Sequence, residues 1–331
     1  MKRVGVCILL LFVVITAVQL LDQASLHDSE NKIYVPGRRS NDMIENVFLT
    51  EDKVYCVTEK GDFYFLDEFN RYVLLEQLCE GSVCWNDKYE KSLYLSGGGY
   101  ISCFDPKTGE KEDMISLIDS GIVTSASDYM ICTWGNFAYC KIGEEVYKVH
   151  LSNGDIQKSS PLIKNMISVE EKGIICQSDD YKTIAIFDPL SDEARILFYE
   201  ETNEPIVAAC IIDDILFFAR ADGKIKQCRT MENVNDSLYN ANTMSEKLSG
   251  KFIYGIATAE EGLLCITGER NNDDFVTTVF LALPNGTIET LMETKEINYY
   301  EPGSCIVKAN EKMFAFGVTT DKLLIMGAIA A

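Results

Sequence analysis

A short turn recurs along this chain between apolar runs, and it constrains the fold more than any other feature. Its clearest copy is Phe-Asp-Pro-Lys-Thr-Gly-Glu at residues 104–110. A second copy, Phe-Asp-Pro-Leu-Ser-Asp-Glu, occupies residues 187–193, and weaker copies occur at 149–155 and 281–287. Together with the apolar runs around them, the copies form a loose repeat of about 40 residues that extends from residue 44 to the end of the chain.

Each repeat can be divided into four short runs rich in Val, Ile, Phe, Tyr and Leu, separated by Gly, Asn, Asp and Glu. In the first repeat the predicted strands are 46–50, 53–58, 62–67 and 72–78. Repeats of this length and content are typical of propeller blades. We therefore predict an all-β fold, a β-propeller with seven four-stranded blades; a count of six or eight blades stays open.

The last repeat, residues 304–331, contains only three apparent strands. An incomplete sheet would leave an unpaired edge, so the ring needs a strand from elsewhere in the chain. The only strand-like run before the first repeat is Asn-Lys-Ile-Tyr-Val at 31–35, and we predict that it closes the ring. In the fifth repeat, the polar segment 231–250 is predicted to be an insertion or a displaced outer strand.

The N-terminal segment differs from the rest of the chain. Lys2 and Arg3 precede an almost wholly apolar run from Val4 to Leu21, long enough as a helix to span a bilayer core. The leading cations favour a single-pass anchor in the cell membrane with the rest of the chain on the extracellular or periplasmic side. A cleaved signal peptide is the alternative. The predicted organisation is residues 1–24 as membrane anchor or uncleaved signal, 25–43 as polar linker with the closing strand, and 44–331 as propeller.

The chain carries a formal net charge of −21, which restricts its partners. Nucleic-acid binding requires a Lys/Arg surface that such a chain is not expected to present. The same charge disfavours adhesion of the folded domain to anionic lipid, so we expect membrane contact through the N-terminal helix only.

Four of the twelve cysteines fall at similar places in their repeats, namely Cys56, Cys132, Cys176 and Cys265. Equivalent positions on neighbouring sheets are about 10 Å apart, too far for a disulfide. We therefore predict that these four side chains are buried and unpaired. Two other pairings stay open, Cys79 with Cys84 and Cys132 with Cys140.

The repeated turn, in which an apolar strand ends in Asp before a Thr-Gly turn, resembles the repeats of the pyrroloquinoline-quinone-like β-propeller superfamily. The resemblance covers most of residues 44–331, is strong in the second and fourth repeats, and concerns the fold alone. It implies a propeller and no cofactor. The quinone enzymes of that superfamily hold their cofactor with tryptophans and a metal cluster. This chain has only Trp85 and Trp134 and no matching run, so we predict no cofactor.

Residues with catalytic chemistry are scarce. The two histidines fall in the linker (His27) and at the repeated turn (His150). No zinc spacing, P-loop or Gly-x-Ser-x-Gly motif is present in the sequence. Pairs of acidic residues recur between the first and second strands of successive repeats, which indicates a turn signature rather than a catalytic pair. We therefore predict neither a catalytic residue nor a metal site.

Binding sites of propellers are expected on loops that a rigid scaffold brings together. The loops between second and third strands are expected to share one face, and aromatic and Arg side chains on them are the residue types that dominate binding energy. The ligand-binding candidates are Trp134, Tyr181, Arg220, Arg270 and Asn271.

The predicted function is a membrane-anchored, extracytoplasmic, non-enzymatic module that binds a protein or glycan partner. The alternative is a carbohydrate-active hydrolase or lyase, because paired carboxylates can flank a glycosidic bond. Its carboxylates would be Asp180, Asp222 and Asp273.

Overall fold

Seven antiparallel sheets of four strands each make up the part of the chain that the structure describes. The structure is a computed structural model. It describes residues 34–329 except for 40–41, 51–52, 68–70, 79–81, 97–98, 123–128, 203, 213–214, 221–224, 230–241, 244–250, 260–261, 272–273, 284–286, 296–304, 311 and 319–322.

The first four blades follow the chain in order. Blade 1 contains β2 (Ile44–Leu49), β3 (Val54–Thr58), β4 (Asp62–Leu66) and β5 (Tyr72–Gln77). Blade 2 contains β6 (Val83–Asn86), β7 (Lys91–Ser96), β8 (Tyr100–Phe104) and β9 (Lys111–Ser116). Blade 3 contains β10 (Tyr129–Trp134), β11 (Phe137–Ile142), β12 (Glu145–His150) and β13 (Ile156–Lys158). A 3-10 helical turn at Pro161–Asn165 leads into blade 4, which contains β14 (Met166–Glu170), β15 (Gly173–Gln177), β16 (Thr183–Asp188) and β17 (Glu193–Tyr199).

Three further blades complete the ring. Blade 5 contains β18 (Ile206–Ile212), β19 (Ile215–Arg220), β20 (Ile225–Arg229) and β21 (Asn242–Thr243). Blade 6 contains β22 (Phe252–Ala259), β23 (Gly262–Asn271), β24 (Asp274–Ala282) and β25 (Ile288–Thr294). Blade 7 contains β26 (Cys305–Ala309), β27 (Met313–Val318), β28 (Leu323–Ala328) and, from the other end of the chain, β1 (Tyr34–Arg39).

The strands of each blade are named A to D in sheet order. The A strands of neighbouring blades contact one another around the whole ring, so they are innermost. Burial follows position in the blade. The second strand β3 is buried along its whole length, whereas most residues of the outer strand β17 are exposed. A strand buried on both faces has a continuous apolar sequence, which is the pattern that predicted these strands.

Each hydrophobic cluster of the core lies between two adjacent blades. The cluster between blades 1 and 2 contains Phe48, Tyr55, Phe63 and Phe104, and the cluster between blades 7 and 1 joins Ile44 and Val47 to residues of β27 and β28. Seven such clusters join the seven blades, counted over the described residues. The seven-bladed count and the four-stranded blades are therefore confirmed.

The ring closes as the incomplete last repeat predicted. β1 pairs antiparallel with β28, from Tyr34 opposite Gly327 to Arg39 opposite Leu323. The closing strand begins three residues later than the predicted run 31–35 and continues past the Pro36-Gly37 pair to Arg39. The register shifts between Val35 and Arg38, and an outer strand tolerates Pro within such an irregularity.

The predicted strand order of blade 3 was wrong by one strand. The equivalence of Cys132 with Cys56 predicts a second strand around Cys132, but β10 is the A strand and pairs with β11 alone among the described strands. In sequence, Asp128 resembles the acidic residues at the turns between the first two strands of other repeats. The true turn is Gly135-Asn136. Cys140 on β11, rather than Cys132, therefore occupies the place that Cys56 has on β3.

The side chains of eight cysteines are described, and all eight are free and buried, including Cys56, Cys132, Cys176 and Cys265. The predicted burial is confirmed, and a Cys132–Cys140 disulfide is contradicted. Cys84 is also free, whereas Cys79 lies outside the described residues. Burial raises the thiol pKa of Cys56 and of Cys176 to about 12, so these thiols resist oxidation by remaining protonated.

The repeated turn has the same geometry in three blades. The N–H groups of Gly109, Gly154 and Asp192 donate to the carbonyl oxygens of the residues four positions earlier, at 2.8, 2.8 and 3.0 Å. All three residues have positive φ angles of 77°, 75° and 60°. His150 ends β12 at this turn, as its place in the repeat predicted.

No helix among the described residues is long and apolar enough to cross a membrane. The predicted anchor, Val4–Leu21, lies outside the described residues.

Candidate functional site: the two faces of the propeller

The loops of the propeller form two faces. Turns between strands A and B, and between C and D, lie at one end of the blades and form the A–B face. Loops between B and C lie at the other end, together with the connections from D to the next A strand, and form the B–C face. Consecutive strands of every described sheet are neighbours and run antiparallel, so successive loops lie at alternating ends of the blade.

Four of the five predicted site residues lie at the B–C face. Tyr181 is in the B–C loop of blade 4, Arg220 ends β19 of blade 5, and Arg270 and Asn271 end β23 of blade 6. Trp134 does not join them. It ends an A strand and therefore lies at the A–B face, which corrects the prediction of a shared face. The physical reason is the one-strand error in blade 3.

Trp134 is half-buried and joins two blades. Its indole Nε1 donates to the carbonyl oxygens of Glu170 at 3.0 Å and Glu171 at 3.2 Å, at the A–B turn of blade 4. A buried indole N–H normally requires such an acceptor. The contact makes Trp134 a structural connection between blades 3 and 4.

The burial of Arg220 also contradicts its prediction as a ligand-binding residue, because a binding residue must be exposed. Only 2% of the residue is exposed, and its Nε donates to Glu200 Oε2 at 3.0 Å. Its Nη1 donates to the carbonyl oxygens of Glu204 at 2.5 Å and Tyr181 at 3.4 Å. The guanidinium thus joins blade 5 to the loops of blade 4.

A second cation, Lys226, pairs with the other oxygen of Glu200. Removing one partner of a buried, hydrogen-bonded pair costs stability because the other groups lose their compensation. Arg220 therefore acts as a structural residue of the blade 4–blade 5 boundary.

Tyr181 is 40% exposed and has a left-handed backbone with φ of 63°. A bulky residue is rare in this region. The loop holds it there through two hydrogen bonds: the Tyr181 N–H donates to the Ser178 carbonyl at 3.0 Å, and the Thr183 N–H donates to Ser178 Oγ at 3.0 Å. A strained aromatic presented on an ordered loop is a feature of functional sites.

Arg270 is exposed near the tip of the hairpin formed by β23 and β24, the longest strands described. It lies opposite Phe275, and Asn271 lies opposite Asp274. The hairpin places Arg270 at the B–C face without burying it, as predicted.

The B–C face also carries apolar side chains that the sequence did not identify. Five of the nine large hydrophobic residues exposed in the described part of the chain lie there: Met43, Ile118, Tyr181, Tyr199 and Phe252. Leu190 is the one at an A–B face turn, and Leu74, Val169 and Ile196 lie within strands. Tyr199 and Phe252 lie at strand ends, where the sequence pattern alone does not separate buried from exposed residues.

Several hydrogen bonds join neighbouring blades at the A–B face. Asn310 Nδ2 donates to the Thr50 carbonyl at 2.9 Å, and Asn86 Nδ2 donates to the Gly135 carbonyl at 3.2 Å. The buried Lys148 donates to the Pro189 carbonyl at 2.7 Å and lies 4.4 Å from the Phe137 ring centre. With Trp134, these contacts connect blade 7 to 1, 2 to 3, and 3 to 4.

Carboxylates of the innermost strands have raised pKa values. Burial raises the pKa of Glu170 to about 7, although Ser168, the Ile211 N–H and the charge of Lys308 act in the opposite direction. Burial also raises the pKa of Asp87, which Lys308 again opposes. At the other end of the ring, burial and then the charge of Glu59 raise the pKa of Glu45 to about 7.

The carboxylates of the enzyme alternative receive little support. Asp180 Oδ1 accepts hydrogen bonds from Ser178 Oγ and the Lys182 N–H, which hold the pKa of its carboxyl below the usual range. Such a group is a poor general acid. Asp222 and Asp273 lie outside the described residues. Within the described part of the chain, no group of His, Cys, Asp and Glu side chains could hold a metal ion.

No protein-family model matches the chain, and no curated protein matches it in sequence. Solved propellers match it in structure. The WD40 β-propeller domain of Doa1 is 14% identical, with a TM-score of 0.58, over 91% of this chain and 98% of that one. The Cps50 (Swd1) β-propeller domain of Myceliophteria thermophila is 10% identical, with a TM-score of 0.56, over 90% of this chain and all of that one.

BamB from Moraxella catarrhalis is 9% identical, with a TM-score of 0.51, over 91% of this chain and 98% of that one. Identities this low show the fold alone. The chain is therefore a seven-bladed β-propeller, and membership of the pyrroloquinoline-quinone-like superfamily stays a prediction.

Proposed function

We propose that this chain is a non-enzymatic binding module that takes a protein partner on its B–C face. The observation that carries the proposal is the concentration of exposed large apolar side chains at that face. A contiguous apolar patch on a folded protein marks a site of interaction, whereas single exposed side chains do not, so the proposal requires these side chains to act together. Aromatic residues supply much of the energy of such contacts, and Tyr181, Tyr199 and Phe252 are available for them.

The same proposal places the propeller outside the cytoplasmic membrane, held by the apolar run Val4–Leu21. Its support is the sequence, where two cations precede a run of eighteen residues whose only polar side chains are Thr16 and Gln19. The free cysteines are compatible with an oxidising location, because burial keeps them protonated and inaccessible. Protease treatment of intact and lysed cells tests the side. Digestion of the propeller in intact cells is expected, and protection until lysis would contradict the orientation.

Binding is tested with the full chain, solubilised from membranes and used as bait. The variant Tyr181→Asn with Phe252→Ser should lose a protein that the unchanged bait retains. The matched control, Lys107→Ser with Leu190→Ser, alters exposed residues of the A–B face and should retain it. Both variants should melt like the unchanged protein. Loss of the partner only in the control would contradict the choice of face, and retained material that resists protease would indicate a glycan.

A further inference from the structure

The direction of the closing strand fixes where the N-terminal segment leaves the propeller. β28 runs from the B–C face to the A–B face, because the loop before it joins strands B and C. β1 is antiparallel to β28, with Tyr34 opposite Gly327 and Arg39 opposite Leu323. Tyr34 is therefore at the A–B end of blade 7 and Arg39 at the B–C end. The N-terminal end of β1 is therefore on the A–B side.

The tether between this point and the proposed membrane anchor is short. Residues 22–33 separate Leu21 from β1. Twelve residues extend at most about 40 Å. A six-residue strand such as β1 is itself ~20 Å long. Contact of the B–C face with the bilayer would require the tether to run back along the whole blade, whereas contact of the A–B face requires no such extension.

We propose that the membrane-bound protein holds its A–B face towards the bilayer and its B–C face away from it, so that the protein partner is met from the aqueous side. This inference depends on the proposed function, because it takes the anchor and the binding face from it. It adds an orientation in which the ligand of Tyr181, Tyr199 and Phe252 is a protein in the aqueous phase and not a lipid surface.

The distribution of side chains agrees with this orientation. Aromatic residues at the B–C face could insert into a lipid interface if that face were turned to the membrane. The A–B face offers Leu190 as the one exposed large apolar residue at its described turns, and its other turn residues are largely polar and cross-linked between blades. The A–B face is therefore suited to lie near a bilayer without inserting into it.

The test uses the full chain reconstituted in phosphatidylcholine vesicles that contain a lipid-linked quencher. A fluorescent amino acid is placed singly at Lys107 or Leu190 on the A–B face, or at Lys60 or Phe252 on the B–C face. Because ~20 Å separates the faces along a blade, we expect about twofold stronger quenching at Lys107 and Leu190. A chain without residues 1–33 controls for collisional quenching.

The outcomes distinguish a failure of the orientation from a failure of the membrane anchoring. Equal quenching at all four positions, or stronger quenching at Lys60 and Phe252, would overturn the orientation while the protein remains membrane-bound and the proposed function survives. Failure of the full chain to remain with the vesicles would overturn the anchoring itself, and with it the orientation.

Discussion

The two faces of the propeller differ in how their side chains are used. At the A–B face, polar and aromatic side chains donate hydrogen bonds to backbone carbonyls of the next blade, as Asn86, Trp134 and Asn310 do. At the B–C face, Tyr181 and Phe252 project large apolar surface into solvent. The comparison teaches that the same repeated scaffold forms a structural seam at one end and a surface available for binding at the other.

The division is not absolute, and Arg220 shows where it fails. This residue lies at the B–C face but is buried and joins two blades. Residue type and face therefore do not identify a binding residue unless the side chain is exposed.

The largest effect should come from Arg220→Ala. The change leaves the carbonyl oxygens of Tyr181 and Glu204 without their donor and removes one of the two cations on Glu200, so we expect a loss of about 3 kcal/mol in the free energy of unfolding. The exposed Arg270 is the matched control, and Arg270→Ala should change stability by less than about 0.5 kcal/mol. Urea denaturation measures both. Equal losses in the free energy of unfolding would mean that the burial of Arg220 does not make it more important for stability than the exposed Arg270.

Trp134→Ala tests whether the contacts between blades at the A–B face stabilise the fold. The half-buried ring and its hydrogen bonds to the carbonyls of Glu170 and Glu171 are lost, and we expect destabilisation of about 2–3 kcal/mol. Partner binding to the remaining folded protein should be unchanged. If instead affinity falls while the melting temperature stays constant, Trp134 belongs to a binding site and the comparison of the faces is wrong.

Glu170→Gln should stabilise the protein by about 2 kcal/mol at pH 8. The folded-state pKa of Glu170 is raised to about 7 from its ordinary value of 4.5. The folded protein therefore loses stability through this group as pH rises from about 4.5 through 7, and the loss is complete above 7. The substitution keeps an acceptor for Ser168 and removes the charge. Thermal melts at pH 8 and pH 4 measure the difference, and an equal gain at both pH values would contradict this cause.

Tyr181→Asn should have the smallest effect on stability. Asn adopts the left-handed region more readily than Tyr, so we expect a change between 0 and about +1 kcal/mol. Affinity for a partner of the B–C face should fall nevertheless. Calorimetry of unfolding and of binding separates the two effects, and a clear loss of stability would show that the exposed ring has a structural role.

The sequence predicted the scaffold well because the scaffold is repeated. The turn at 104–110 and 187–193 recurs where the C strand ends, and the incomplete last repeat correctly required a strand from the N-terminus. Blade 3 was the exception, because Cys132 and Cys140 lie in two adjacent apolar strands and either could be aligned with Cys56. Successive strands of a blade run in opposite directions, so assigning a residue to the wrong one of two neighbouring strands places its strand end at the opposite face of the propeller. This is what happened for Trp134.

The site was harder to predict than the fold for a physical reason. Arg220 has the same sequence signal as Arg270, a cation at the end of a B strand. Only the positions of Glu200 and the loops of blade 4 determine that it is buried. Likewise, Phe252 begins a strand whose next four residues are buried, and nothing in the strand's own sequence shows that Phe252 is exposed. These are relations between blades, which a single repeat does not contain.

Photo-crosslinking in living cells tests the central claim most directly. A photoreactive amino acid is placed singly at Tyr181 or Phe252 on the B–C face, and at Lys107 or Leu190 on the A–B face. The account predicts that Tyr181 and Phe252 crosslink to the same protein and that Lys107 and Leu190 do not. Crosslinks to one protein from Lys107 and Leu190, with none from Tyr181 and Phe252, would contradict the assignment of the binding face.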